Sequence, residues 1–134
     1  MIGYGKRVLL VDDMTMVRQR LAEVLEENEF VVVQAQSGGQ ALREMQLRRF
    51  DAVVTGDRMP LLDGLDLLSH CRMVRPGTPV VLFANLDWER IDLAEARGAF
   101  AWISKSSDPG VLLSMLTLAV LHGVGWETRE RVGA

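Results

Sequence analysis

The stretch from Phe50 to Pro60 reads FDAVVTGDRMP and places a single carboxylate, Asp57, directly after an apolar segment of strand-like composition. An earlier apolar run, VLLV at residues 8–11, ends in a second set of carboxylates, Asp12 and Asp13. Because the carboxyl ends of parallel strands meet at one edge of a sheet, we expect these three acids to converge in one crevice. Three carboxylates that close together require a cation.

Length and composition limit the possible classes of protein. The 134 residues are enough for one domain with one core. The net charge is −3 and the basic residues are scattered, which argues against direct nucleic-acid binding. The longest strongly apolar stretch, Val111 to Leu121, is too short to span a bilayer, and the chain does not open on a signal peptide, so we expect no membrane association and a cytoplasmic location. The single cysteine, Cys71, has no metal-ligand spacing around it and is predicted to be a buried structural thiol.

Short β-branched runs alternate with helical patterns along the chain, as in repeated βαβ units. The strands are predicted near residues 7–11, 30–35, 51–56, 80–84 and 100–104. The helices are predicted over 15–29, around 41–47, around 65–71, over 87–97 and after Pro109, for which Ser107 and Asp108 are capping candidates. The fold class is therefore α/β with a parallel sheet covered on both faces.

The order of these elements and the polar residues at their ends resemble the receiver domain of bacterial two-component response regulators. The resemblance covers about residues 6–122, so we expect a receiver domain over 1–122 and a tail or linker over 123–134. The matching pieces are the acid pair Asp12-Asp13, Asp57 followed by Met59-Pro60, Asp63-Gly64, and Lys105 at the end of the fifth strand.

The resemblance implies a flavodoxin-like, doubly wound sheet of five parallel strands in the order 2-1-3-4-5 with five helices. It also implies a signalling domain, not an enzyme with an external substrate. Asp57 would accept a phosphoryl group from a phosphohistidine on a histidine kinase or phosphotransfer protein. Lys105 would contact that group.

The resemblance further implies a Mg²⁺ cofactor. Asp13 and Asp57 would bind the ion directly, Asp12 through a water molecule, and Met59 through its backbone carbonyl. Taken without the resemblance, however, Asp12, Asp13 or Thr15 could simply cap the first helix.

The sequence also departs from the family pattern. Ala84 stands where receivers usually carry Thr or Ser, and a methyl group cannot donate the hydrogen bond that normally links the phosphoryl group to the following loop. Trp102 falls at the position of the aromatic residue that acts as a conformational switch in receivers. Its indole either takes this switch role or stays inward and fills the space left by the missing hydroxyl of residue 84. Ser106 replaces a proline that follows a cis peptide, so a trans Lys105–Ser106 bond is expected. Met59 and Leu86 flank the expected path of the hydrolytic water and predict a long-lived phosphoryl group.

The fifth helix is predicted to carry apolar residues on two sides. Its sheet-facing stripe is formed by Leu112, Leu116 and Ala119. Leu118 and Leu121 fall on another side, and apolar residues that face outward predict a protein contact. The resemblance to receivers implies that this contact is self-association or an output partner on the face of helix four, strand five and helix five. Alternatively, the tail with Trp126 folds back over them.

Two classes of function remain open. The first is a phosphoacceptor receiver, which the intact acids and Lys105 favour. The second is a receiver-like docking or dimerisation module that does not depend on phosphorylation, which Ala84 and Ser106 favour. An unrelated hydrolase with an aspartate nucleophile is disfavoured. Phosphatases of that kind carry an Asp-x-Asp motif at the nucleophile, whereas Asp57 is followed by Arg58 and Met59 and the second aspartate is missing.

Overall fold

The computed structural model describes the backbone of residues 3–133 and the side chains of residues 3–121. In this part of the chain, strands and helices alternate from start to end. The strands are β1 (Arg7–Val11), β2 (Val31–Ala35), β3 (Ala52–Thr55), β4 (Val80–Phe83) and β5 (Ala101–Ile103). The helices are α1 (Thr15–Glu27), α2 (Gly38–Leu47), α3 (Gly64–Val74), α4 (Trp88–Ala96) and α5 (Pro109–Gly133).

The strands form one parallel sheet in the order β2-β1-β3-β4-β5, which confirms the predicted fold class. The strand bounds agree with the prediction to within one residue. The first helix was predicted two residues too long: it ends at Glu27, and Glu29 adopts a left-handed conformation with φ of 68°. Such a residue cannot continue a right-handed helix.

The central strands β1, β3 and β4 are almost wholly buried because helices cover both faces of the sheet. Their alternating side chains divide the core into two layers. The first layer joins the sheet to α2, α3 and α4, and includes Leu9, Val53, Leu68 and Leu82. The second layer joins it to α1 and α5, and includes Leu10, Val54, Leu25 and Leu116.

The register of the sheet places the candidate site. Val11 at the end of β1 pairs with Thr55 at the end of β3, and the Gly56 N–H donates to the Val11 carbonyl at 2.8 Å. Asp12 and Asp57 therefore leave the sheet at the same edge, on neighbouring strands.

Helix α3 begins against that edge. The Gly64 N–H donates to the Asp57 carbonyl at 2.7 Å, and a Cβ at position 64 would overlap the Gly56 carbonyl oxygen. Glycine is thus required for this close approach.

Cys71, further along α3, is fully buried, which confirms the prediction of a structural thiol. Burial raises the pKa of this thiol to about 12.

Helix α5 begins at Pro109, and the Asp108 carboxylate caps it by accepting the Gly110 N–H at 2.8 Å. The predicted inner stripe of Leu112, Leu116 and Ala119 is buried, whereas Leu118 and Leu121 are 46% and 71% exposed. The helix backbone continues past residue 122 to Gly133. The expected contact of Trp126 lies outside the described side chains. None of the helices, over the described residues, is long and apolar enough to cross a membrane.

Candidate functional site

Asp57 stands just beyond the end of β3 and is 3% exposed. Both of its carboxylate oxygens accept hydrogen bonds from Arg90 of α4: Nε donates to Oδ2 at 2.7 Å and Nη2 donates to Oδ1 at 2.6 Å. This bidentate geometry is the strongest form of a guanidinium–carboxylate pair. The Asp57 hydrogen bonds raise the pKa of Arg90, against the opposing effect of burial.

Arg90 was not among the predicted site residues, although its position in the sequence provides one signal. Asp87 caps α4, so Arg90 lies in the first turn of that helix. A positive charge there is unfavourable because the helix dipole is positive at the same end. An arginine in such a position suggests that a nearby acid offsets its unfavourable interaction with the helix dipole.

The Arg90 guanidinium also bridges to a second acid. Its Nη2 lies 3.2 Å from Oδ2 of Asp63, the N-cap of α3, whose Oδ1 accepts the Asp66 N–H at 2.9 Å. Burial alone would raise the pKa of Asp63, but the Asp66 N–H and Arg90 outweigh it, and the pKa lies below its ordinary value. Arg90 therefore connects the start of α3, the end of β3 and the start of α4.

Asp12 is also buried, and its carboxylate has two partners. Oδ1 accepts the Met14 N–H at 2.9 Å, and Oδ2 lies 3.2 Å from Nζ of Lys105. A Cβ on Gly56 would lie 3.0 Å from the same Oδ2, so this carboxylate sits directly beside the residue that precedes Asp57. The N-cap of α1 is Met14 and no side chain caps the helix, so the alternative that Asp12, Asp13 or Thr15 caps it is wrong. Asp12 instead fixes the backbone just before α1, and its carboxylate lies in the crevice.

Lys105 reaches this crevice from the loop after β5. Its backbone N–H donates to Oδ1 of Asn85 at 3.2 Å, and the Ser104 hydroxyl donates to the same oxygen at 2.9 Å. Ser106 contributes an N–H that proline lacks, which donates to Oγ of Ser104 at 3.3 Å. No cis peptide occurs within residues 3–133, which confirms the trans bond expected after Lys105.

The two switch positions contact each other. The indole N–H of Trp102 donates to the backbone carbonyl of Ala84 at 2.9 Å. Ala84 is buried, whereas Trp102 is 39% exposed. The indole is therefore tied to the end of β4 at its polar edge, and much of its ring faces solvent.

Asp13 and Met59 border the crevice at different depths. Asp13 is exposed, and Met59 is buried in the core layer under α3. Both line a cavity of about 480 Å³ together with Arg58, Pro60, Asp63 and Arg90.

The predicted metal ligands match Mg²⁺ in chemistry, because they are carboxylate and carbonyl oxygens at one sheet edge. Their arrangement differs from a metal site: Arg90 holds both oxygens of Asp57, and Lys105 and an N–H hold those of Asp12. Within the described part of the chain, no three acidic, histidine or cysteine side chains are grouped to bind a metal. Asp57 is therefore already charge-paired with Arg90 in this structure.

The fold and this crevice agree with a match to a known family. The sequence profile described as the response regulator receiver domain matches residues 8–117. The chain belongs to this family. A receiver domain is a signalling module of two-component systems, and this membership favours phosphoacceptor signalling over the phosphorylation-independent docking module.

Individual relatives support the assignment. The receiver domain is 34% identical over 101 residues to a response regulator receiver protein of Anaeromyxobacter sp. (strain Fw109-5), covering 75% of this chain and 42% of that protein. It is 32% identical over 116 residues to the transcriptional regulatory protein PdtaR of Mycobacterium tuberculosis, covering 86% of this chain and 57% of that one. The chain thus spans about half the length of these two curated relatives.

A solved structure shares the fold. The response regulator protein TrrA of Thermotoga maritima, in complex with Mg²⁺ and BeF, has a TM-score of 0.79 at 26% identity. The superposition covers 85% of this chain and 98% of that one.

Proposed function

We propose that this receiver domain accepts a phosphoryl group on Asp57 from a phosphohistidine of a histidine kinase or phosphotransfer protein. The observation that carries the proposal is a buried carboxylate at the end of β3, at the same edge of the sheet as the Asp12–Lys105 pair. A carboxylate oxygen of Asp57 forms the new O–P bond while the P–N bond of the donor breaks. The departing imidazole nitrogen keeps the electron pair of that bond.

Asp12, Asp13, Asp57 and the Met59 carbonyl would hold Mg²⁺, which supplies positive charge against the repulsion between a carboxylate and an incoming phosphoryl group. The Mg²⁺–BeF complex of the similar protein TrrA supports this assignment. The buried and exposed members of the set have different roles: Asp12 and Asp57 are fixed by their partners, and Asp13 faces solvent at the mouth.

Lys105 would provide the positive contact to the transferred group. Its Nζ pairs with Asp12, 3.2 Å from Oδ2, and its side chain is about a quarter exposed. An ammonium on a flexible stem can therefore turn from Asp12 toward new oxygens on Asp57.

The phosphoryl group would be long-lived. Met59 is buried and Leu86 packs against the same core layer, so neither side chain can orient a water molecule by hydrogen bonding. Loss of the label within seconds from purified, phosphorylated protein would contradict this.

The test of the proposal is treatment with a small phosphodonor and Mg²⁺, followed by intact-mass measurement. Wild-type protein and the control Asp66→Asn, which alters an exposed acid on α3, should gain one phosphoryl group. Asp57→Asn should gain none. Equal gains in all three proteins, or no gain in wild type, would refute Asp57 as the acceptor.

We further infer that the face of α4, β5 and α5 contacts an output partner or a second copy of the domain. Trp88 of α4 and Leu118 and Leu121 of α5 are exposed apolar residues, and Leu121 also borders a cavity beside Tyr4 and Phe30. Sedimentation of wild type and Leu121→Ser would test self-association: a concentration-dependent increase in mass is expected for wild type and should be smaller for the variant.

The receiver unit is proposed to end near residue 122. Its single free thiol fits a reducing cytoplasm.

A further inference from the structure

We propose that Arg90 is a built-in counter-ion that competes with a divalent cation for Asp57. Metal binding then requires the first turn of α4 to release the carboxylate. The inference deepens the proposed function and rests on the part of it that places Mg²⁺ at Asp57.

The contact geometry places the two cations in competition. The guanidinium donates to both oxygens of Asp57, at 2.6 and 2.7 Å, and therefore covers the outward side of a carboxylate that is otherwise enclosed by protein. A divalent ion bound to the same oxygens would lie within a few ångströms of a permanent positive charge. Repulsion between the two positive charges at that distance disfavours simultaneous binding. Arg90 must therefore move away for the ion to bind.

Arg90 has a position to which it can move. It already contacts Asp63, 3.2 Å from Oδ2, and lines the open cavity of about 480 Å³ shared with Asp13. Its side chain is 26% exposed, so part of the guanidinium reaches solvent in the paired state. Release would leave it paired with Asp63 and hydrated.

Helix α4 is lightly anchored, which makes its first turn easy to displace. Ala94 is its one buried residue, and Trp88, two residues before Arg90, is 82% exposed. A shift of this turn would therefore uncover little apolar surface. Ala84 offers no hydroxyl at the end of β4, so Arg90 gives α4 a link to the state of Asp57 that the methyl group cannot provide.

The experiment is a calorimetric titration with MgCl₂ of wild type, Arg90→Ala and Arg90→Gln, which removes the charge but keeps a polar side chain. Arg97→Ala is the matched control, because Arg97 ends the same helix and pairs with the exposed Asp66 at 3.8 Å. Both Arg90 variants should bind Mg²⁺ about tenfold more tightly than wild type and the control. Asp57→Asn in either background should weaken binding.

A second measurement follows the helix. In wild type, Mg²⁺ should shift the backbone amide resonances of residues 87–90, and in Arg90→Gln it should leave them largely unchanged. Equal Mg²⁺ affinities of wild type and both Arg90 variants would overturn the inference. So would an absence of Mg²⁺ binding in all of them, in which case the phosphodonor experiment on Asp57 still tests the acceptor separately.

Discussion

Helices α3 and α4 both begin at the candidate site, but they are held in different ways. Helix α3 buries five residues, namely Gly64, Leu65, Leu67, Leu68 and Cys71. Helix α4 buries one, Ala94. The start of α3 is fixed by backbone contact with Asp57, whereas the start of α4 is fixed by the side chain of Arg90.

The difference separates a rigid support from a movable element. Apolar burial is insensitive to the charge in the crevice, so α3 should stay in place whatever Asp57 binds. A charge pair depends directly on which cation sits at Asp57, so α4 should respond. The sequence departs from the family pattern at Ala84, Trp102 and Ser106. These residues lie in or directly after β4 and β5, the strands nearest α4.

The largest expected effect concerns the burial of α3. Leu68→Ala should lower the free energy of unfolding by about 3 kcal/mol, because the side chain is fully buried in the core layer. Leu93→Ala on α4 removes the same atoms from a partly exposed position and should cost less than about 1 kcal/mol. Urea denaturation measures both. Equal losses would contradict the contrast between the helices.

Removing Arg90 should have the next largest effect. Arg90→Ala leaves a buried carboxylate without its counter-ion and should cost about 1–2 kcal/mol without divalent ions, less than a fully buried pair because Arg90 is partly exposed. Excess Mg²⁺ should narrow the gap to wild type, since an ion that binds the folded state stabilises it. Denaturation with and without Mg²⁺ tests this, with Arg97→Ala as control. A gap that Mg²⁺ leaves unchanged would mean that Arg90 acts through packing alone.

The loop that leads into α3 contains a correctable strain. Leu61 has a φ of 69° and is fully exposed, so its side chain gains nothing from burial. Leu61→Gly should therefore raise the free energy of unfolding by about 0.5 kcal/mol, because glycine adopts this conformation without a steric penalty. The same substitution at Leu47, an exposed residue at the end of α2, should instead destabilise the protein. Thermal denaturation of the two variants distinguishes the outcomes.

The smallest expected effect is a pH dependence at Asp63, which caps α3 and contacts Arg90 of α4. Its pKa is lower in the folded protein than its ordinary value of 3.8. The carboxylate therefore contributes stability fully above that value, and the contribution is lost as the pH falls through the folded pKa. Asp63→Asn keeps a good N-cap but removes the charge. The variant should be less stable than wild type by about a few tenths of a kcal/mol at neutral pH, because solvent screens the site. This difference should shrink in acid, and a constant difference from pH 7 to pH 3 would argue against a charge effect.

The sequence was sufficient to predict the sheet and the edge at which the acids meet. Apolar, β-branched runs such as VLLV at 8–11 are typical of strands covered on both faces, and the residue after such a strand lies at the carboxyl edge. The placement of Asp12 and Asp57 follows from that rule. The inner and outer sides of α5 follow equally well from helical periodicity.

The pairing within the crevice could not be predicted in the same way. Which cation meets which acid depends on side-chain reach and on the exact start of α4, and neither is encoded in periodicity. Lys105 meets Asp12, and Arg90, a residue on an apparently ordinary surface helix, meets Asp57. The sequence contains one indication of the Arg90–Asp57 pair, which is the unfavourable placement of a positive charge at the start of a helix.

The isolation of Cys71 has a practical consequence. Its thiol lies under α3 with no exposed surface, 3.5 Å from the sulfur of Met45, and its raised pKa leaves almost no reactive thiolate. An alkylating reagent should therefore react with the native protein only when α3 lifts off the sheet. Since the chain has a single cysteine, the rate of labelling would time the opening of its most firmly packed helix, with no need for an introduced probe.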